Sequence, residues 1–149
     1  MNLPSRSDVL RCIDQAIPFP IFYQLTFEGR IKTKAAYKRT NEADTGQWVV
    51  DGYFETGWQP SDIERSDLPV ALDLAGLYEQ MLRRLLPLPP RAGESLKAQV
   101  ERLGQIRSKE NECRKMEARL NKEKQFNRKV ELNAQLRTLQ AVLDELKSE

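Results

Sequence analysis

Asn121-Lys122-Glu123-Lys124-Gln125-Phe126-Asn127-Arg128-Lys129-Val130-Glu131-Leu132-Asn133 is the stretch whose reading decides the fold. It lies inside a helical run predicted from Glu94 to Lys147, which holds no proline and Gly104 as its sole glycine. Before the stretch, Leu96, Val100 and Leu103 keep a four-then-three spacing. Cys113, Met116, Leu120, Asn127 and Val130 share one heptad register, with Glu123 at a seam position. After it, Leu132, Leu136, Leu139, Leu143 and Leu146 keep a four-three register that is offset from the first. The two registers clash between Phe126 and Leu132. A stutter inside one helix would absorb the clash, and so would a reversal into a helical hairpin. With no Gly or Pro to mark a turn, the reading is one long, bent, coiled-coil-like helix of about 80 Å, with the hairpin as the alternative.

Upstream of this tail, Pro87-Leu88-Pro89-Pro90-Arg91-Ala92-Gly93 breaks any helix and reads as a stiff linker. It separates a domain over 1–86 from the tail over 94–149. All Trp and Tyr residues, and every Phe except Phe126, lie before it. Ser7-Asp8 reads as a helix start, and Val9, Cys12, Ile13, Ala16 and Ile17 recur at helical spacing until Pro18. Ile21 to Phe27 alternates as a strand, with Ile21, Tyr23, Leu25 and Phe27 on one face. Glu28-Gly29-Arg30 is a tight turn into a second strand, Ile31 to Arg39, which makes a hairpin. A looser turn over Asn41 to Gly46 leads to a third strand, Gln47 to Glu55. Trp48, Val50 and Phe54 are assigned to one of its faces, Val49, Asp51 and Tyr53 to the other. Gly52 and Gly57 suggest a bulge or bend. Gln59 to Asp67 reads as a polar loop. Leu68-Pro69 opens the next helix, whose apolar stripe runs Leu72, Leu74, Ala75, Leu77, Tyr78, Met81, Leu82, Leu85 and Leu86. The fold class is therefore α+β: a short helix, a three-stranded antiparallel sheet, a covering helix and the long helical tail.

Composition removes several functions. The chain has no histidine, two cysteines and a net charge of +2. His-based triads, His general bases, His-ligated zinc and four-thiolate zinc are all excluded. No Gly-rich phosphate loop of usual spacing occurs. Cys12 and Cys113 lie in different segments, which suits a reducing compartment. No apolar run approaches membrane-spanning length and no signal peptide is evident, so the expectation is a soluble, cytoplasmic protein with no membrane partner and no cofactor.

Two clusters could carry chemistry. From Arg114 to Lys129, the cations Arg114, Lys115, Arg119, Lys122, Lys124, Arg128 and Lys129 face only Glu117 and Glu123. Such a face could track phosphates, or be an ordinary solvated helix surface. Phe126 sits among these charges, as a plug where the registers clash or as an anchor for a partner. The acids Asp44, Asp51, Glu55 and Asp62, with Lys32, Lys34 and Lys38 on the neighbouring strand, could hold Mg²⁺ for phosphodiester hydrolysis, although acids near turns are ordinary surface. Trp48, Tyr53 and Trp58 read as packing rather than a ligand pocket.

Lys122 to Asn133 closely resembles the C-terminal signature of a bacterial domain-of-unknown-function family, number four-three-nine-one. Tyr53-Phe54-Glu55-Thr56-Gly57-Trp58 and Leu68-Pro69-Val70-Ala71-Leu72-Asp73-Leu74, running on through Leu77-Tyr78-Glu79-Gln80, are similar to the same family. The resemblance implies a protein of undefined biochemistry whose genes sit beside helicases and DNA methyltransferases in restriction-like or phage-defence neighbourhoods. It transfers no catalytic residue. It also implies a longer segment, in other members, ahead of the part matching Asp8 to Ile17.

The leading expectation is a non-enzymatic interaction module that pairs with a second copy or with a larger protein of helicase or methyltransferase type. The residues assigned to that contact are Phe126, Val130, Leu132, Leu136, Leu139, Leu143 and Leu146. A nucleic-acid-binding accessory using the basic face is the alternative, and a metal-dependent nuclease the lesser one.

Overall fold

The computed structural model describes residues 6–44 and 46–148, and the chain divides into two compact units, Met1–Pro87 and Leu88–Glu149. In the first unit, helix α1 (Arg6–Ala16) precedes strands β1 (Phe22–Phe27), β2 (Arg30–Thr40) and β3 (Trp48–Glu55). The two-residue strand β4 (Gln59–Pro60) and helix α2 (Leu74–Arg83) follow. The expected α+β class holds. β2 is central, with β1 and β3 antiparallel on its two sides. The segment read as a polar loop supplies β4, which pairs Gln59 with Ile31 and Pro60 with Arg30.

β1 and β2 join through Glu28 and Gly29, which both have positive φ, 47° and 70°. This is the twist a two-residue hairpin loop requires, and glycine meets it without strain at the second position. Between β2 and β3 the register slips: Tyr37 opposes Gly52, but Lys38 opposes Val50. Asp51 is thus the extra residue of a bulge, at the place Gly52 suggested. The slip corrects the face assignment in β3. Directly paired residues share a face. Val50 therefore lies on the side of Lys38 and Tyr53, opposite Phe54.

One sheet face carries Phe22, Ala35 and Phe54. Tyr78 of α2 meets Phe22 edge-on at 6.0 Å between ring centroids. The Tyr78 hydroxyl donates to the Ala36 carbonyl at 2.8 Å and accepts from the Lys38 amide at 3.0 Å, so α2 supplies partners to β2 beyond the end of β1. The helix starts at Leu74, later than the expected Leu68-Pro69. Asp73 caps it by accepting the Gly76 amide at 2.7 Å. A capping side chain of this kind satisfies a free amide of the first turn and so fixes where the helix begins. The stripe is correspondingly narrower: Leu82 and Leu86 are buried, whereas Leu72 and Leu74 stand in solvent.

The other face carries Tyr23, Ala36, Lys38 and Tyr53, and α1 packs against β3. The apolar face expected of α1 is not the docked one. Val9, Cys12, Ile13 and Ile17 remain exposed, and among the described side chains of α1 the buried one is Asp14. Its carboxylate meets the Lys38 ammonium at 2.8 Å, both side chains being fully buried.

In the second unit the tail divides into α3 (Leu96–Lys122) and α4 (Phe126–Lys147), which pack against each other. The hairpin alternative is the observed arrangement, in place of one continuous bent helix. The reversal needs neither Gly nor Pro. Glu123 and Gln125 sit in ordinary extended backbone, at φ −70° and −80°. The Glu123 carboxylate accepts the amides of Lys124 at 2.8 Å and Gln125 at 2.9 Å. These bonds replace the helical partners that amides at a chain reversal lose. Each register then belongs to its own helix. Leu103, Ile106 and Cys113 of α3 are buried, as is Leu136 of α4, with Leu132, Leu139, Leu143 and Leu146 half-buried.

The open end of the hairpin is held by two arginines. Arg102 grips Glu94 through two bonds, 2.8 and 2.9 Å, and donates to the carbonyls of Pro89 and Leu146. Arg91 donates to the carbonyls of Glu145 and Ser148 at 2.6 and 3.0 Å. Both thus serve the carbonyls that close α4, where cations also complement the helix dipole.

Candidate functional site at the hairpin tip

The reversal gathers the basic stretch at one end of the hairpin. Arg119 and Lys122 end α3, Lys124 lies in the turn, and Arg128 and Lys129 open α4. All five side chains are exposed. Phe126, the first residue of α4, is 77% exposed, and Val130 one turn later is also exposed. Phe126 therefore does not plug the register clash. The clash is resolved by the turn, which leaves the ring outside.

A groove of about 420 Å³ opens here, lined by Arg119, Lys122, Glu123, Arg128, Glu131, Leu132 and Gln135. Of its two carboxylates, Glu123 is committed to backbone. Its two amide bonds hold its carboxyl below the usual range, and the Arg128 guanidinium is 4.0 Å away. The charge that opposes the cations at this end is thus partly tied into the turn itself. Arg114 and Lys115 lie further back on α3, Arg114 bonded to Asn111. Among the residues assigned to a partner contact, Phe126 and Val130 stand at the surface, while the leucine seam lies along the hairpin.

The acid set is not assembled into a centre. Asp51 is paired with Arg39. Glu55 meets Lys32 at 2.6 Å and Lys34 at 3.3 Å, and these two bonds, that of Lys32 foremost, lower its carboxyl pKa. Asp44 accepts the Gly46 amide within its own turn, and Asp62 is exposed. Among the described residues no group of three or more carboxylates and thiols could hold a metal ion. Trp58 lies 6.4 Å from Phe27 and under the Lys32 ammonium at 5.3 Å, and Tyr53 under that of Lys34 at 5.1 Å. Both Trp48 and Trp58 are partly exposed.

Sequence reasoning passed over the cluster centred on Asp14. Besides Lys38, the Asp14 carboxylate accepts the Tyr53 hydroxyl at 2.5 Å. Lys38 also donates to the carbonyls of Ile17 and Phe19, at 2.9 and 2.8 Å. The Tyr23 hydroxyl is buried close by, and burial first, then the adjacent Asp14 carboxylate, raises its pKa to about 12. Tyr53 is raised by burial and by its bond to Asp14. A lone Asp in an amphipathic helix gives no signal of such a role, and Lys38 reads as one more lysine on an outward face. The Asp14–Lys38 pair has no solvent access and holds α1 to the sheet.

No described helix is long and apolar enough to cross a membrane. The model of one protein family, described as a domain of unknown function (DUF4391), matches residues 3–143. No curated protein and no solved structure matches the chain.

Proposed function

From the premise that this chain belongs to the DUF4391 family, we propose that it is a non-catalytic binding subunit whose hairpin tip grips the phosphate backbone of a nucleic acid. The observation that carries the reading is the exposed cation set Arg119, Lys122, Lys124, Arg128 and Lys129, brought to one end of the hairpin around an exposed Phe126. Cations spaced along a helical tip contact phosphates without reading bases, and a single aromatic adds one stacking contact. The expected setting is a cytoplasmic restriction-like or phage-defence system, in which DNA is the shared substrate.

The test is fluorescence anisotropy with labelled single- and double-stranded oligonucleotides across a salt series. Contacts from Lys122, Lys124, Arg128 and Lys129 alone predict a log–log salt slope of roughly −3.6 on duplex DNA, a loss of about 150-fold between about 50 and 200 mM salt. Reversing Lys122, Lys124, Arg128 and Lys129 to Glu is expected to abolish binding. Binding that survives this reversal, or that ignores salt, refutes the reading.

A second reading rests on Phe126 and Val130, an exposed apolar pair at the tip. They would anchor the subunit on a larger protein of helicase or DNA methyltransferase type, since buried aromatics dominate interface energies. Under that reading Phe126→Ala abolishes co-purification with the larger protein, and the charge reversal leaves it intact.

A further inference from the structure

Phe126 is the part of the tip that phosphate binding alone leaves unused. Its ring is 77% exposed at the first turn of α4. Between Arg119 and Val130 the chain carries five cations, with Glu123 as the one acid. That acid accepts the amides of Lys124 and Gln125, at 2.8 and 2.9 Å. The two residues immediately ahead of the ring are thus fixed by the turn, and little ordering remains to be lost when the ring meets a ligand. Lys124, Arg128 and Lys129, its nearest charged neighbours along the chain, are exposed. A protein docked over the ring would have to strip water from these groups, and the buried centres of protein interfaces are poor in charge and in lysine above all. Phosphates flanking a stacked base would meet the same cations directly.

Resting on the nucleic-acid reading above, we infer that the tip recognises an interrupted base stack. Phe126 lies flat on the free face of a terminal base pair, at a duplex end or a fork, while the cations hold the phosphates of the strands leading to it. A continuous duplex offers base edges in its grooves but no free base face. Opening an internal step to admit a ring costs about as much as one stacked ring returns. At an end or a fork the face is already bare, so stacking there adds to the phosphate contacts without that cost. A single strand also has bare faces, but one aromatic residue holds one base rather than a succession, and each phosphate contact on a single strand releases less counterion than on a duplex. Every base has a π-face, so the ring selects a place in the duplex and not a sequence.

The test is fluorescence anisotropy of the full chain with DNA stems about one helical turn long. One stem is closed at both ends by base-free loops; the other is closed at one end and blunt at the other. The blunt stem is expected to bind about 5- to 140-fold more tightly, the worth of one base stacked on an aromatic side chain. The same stem with unpaired arms at its open end, a fork, is expected to share the preference. Phe126→Leu keeps an apolar side chain but has no π-face, and should lower the open stems to the affinity of the closed one; Phe126→Trp should keep the preference. Both variants should retain the far-ultraviolet circular dichroism of the wild type, since the ring stands outside the packed seam. Iodouracil at the terminal pair should photocrosslink to Phe126, and at the centre of the stem should not. Equal affinity for open and closed stems, a preference that survives Phe126→Leu, or a crosslink from the centre of the stem overturns the terminal-pair assignment while leaving the phosphate reading in place. An absence of binding to every stem overturns both.

Discussion

Removing Lys38 is expected to destabilise the first unit strongly, although lysine is ordinarily a surface residue. In Lys38→Met the aliphatic stem is kept and the ammonium is lost. With it go the 2.8 Å pair with Asp14 and the bonds to the carbonyls of Ile17 and Phe19. Asp14 would be left without its cation in a site without solvent access, with the Tyr53 hydroxyl as its formed hydrogen bond. Leaving one partner of a buried pair uncompensated costs about 3–5 kcal/mol. A unit of this size has about 4–13 kcal/mol in total, so the variant is expected to lose a large fraction of its stability. The reverse single change, Asp14→Leu, is expected to cost a similar amount. The double variant is the informative one. Replacing both charges by apolar groups removes the uncompensated charge and leaves only the neutral Tyr53 hydroxyl and two carbonyls to be resolvated. It should lie within about 2 kcal/mol of wild type. Urea unfolding followed by tryptophan fluorescence reads this unit alone, since Trp48 and Trp58 are the chain's two tryptophans. The reasoning is refuted if either single variant costs less than about 1 kcal/mol, well short of a broken buried pair. It is equally refuted if the cycle is additive within the ~0.5 kcal/mol expected of independent sites.

Other consequences are open to measurement. The Arg102 guanidinium, with help from the Arg91 amide, holds the Glu94 carboxyl at about 2. Its folded pKa lies below its unfolded value of about 4.3, so its stabilisation is complete above that value and is lost as pH falls toward about 2. Far-ultraviolet circular dichroism should show the hairpin weakening across this window, and Glu94→Gln should remove that pH dependence while weakening the hairpin at neutral pH. Glu28 occupies the left-handed region at φ 47°. Asn tolerates that region better than Glu, so Glu28→Asn is expected to stabilise the first unit by about 0.5–1 kcal/mol; an unchanged or lowered urea midpoint counts against it. The Phe126 ring is 77% exposed. Phe126→Ala should therefore change stability by no more than about 0.5 kcal/mol, as surface substitutions do, while reducing binding at the tip in the anisotropy assay. A large loss of stability would mean that the ring packs into the hairpin.

Much of the α+β arrangement was legible because strands and helices announce themselves by spacing. Period two between Ile21 and Glu55 located the three main strands, and Glu28-Gly29 located their first turn. The bulge was signalled by Gly52, but its direction was not, so the faces of β3 came out half reversed. β4 carried no signal, since two residues have no period. The start of α2 was misplaced because Pro69 satisfies the rule for a first turn, whereas the Asp73 cap further on is what the backbone uses. At the candidate site the cations and Phe126 were readable as a set. Their gathering at one exposed end was not, because that follows from the chain reversing.

By itself the amino-acid sequence determined the element types, the absence of histidine chemistry and the identity of the basic stretch. These depend on local spacing and composition, which the chain carries wherever it folds. Only the tertiary structure decided that Asp14 is the docked residue of α1 and that the leucine seam lies along α3 within one hairpin. A buried carboxylate is tolerable only when a cation from another element reaches it, as Lys38 of β2 does. A helix ends without Gly or Pro only when another group takes up its lost hydrogen bonds, as Glu123 does. Both conditions concern which groups meet in space, and residue spacing along the chain does not carry that information.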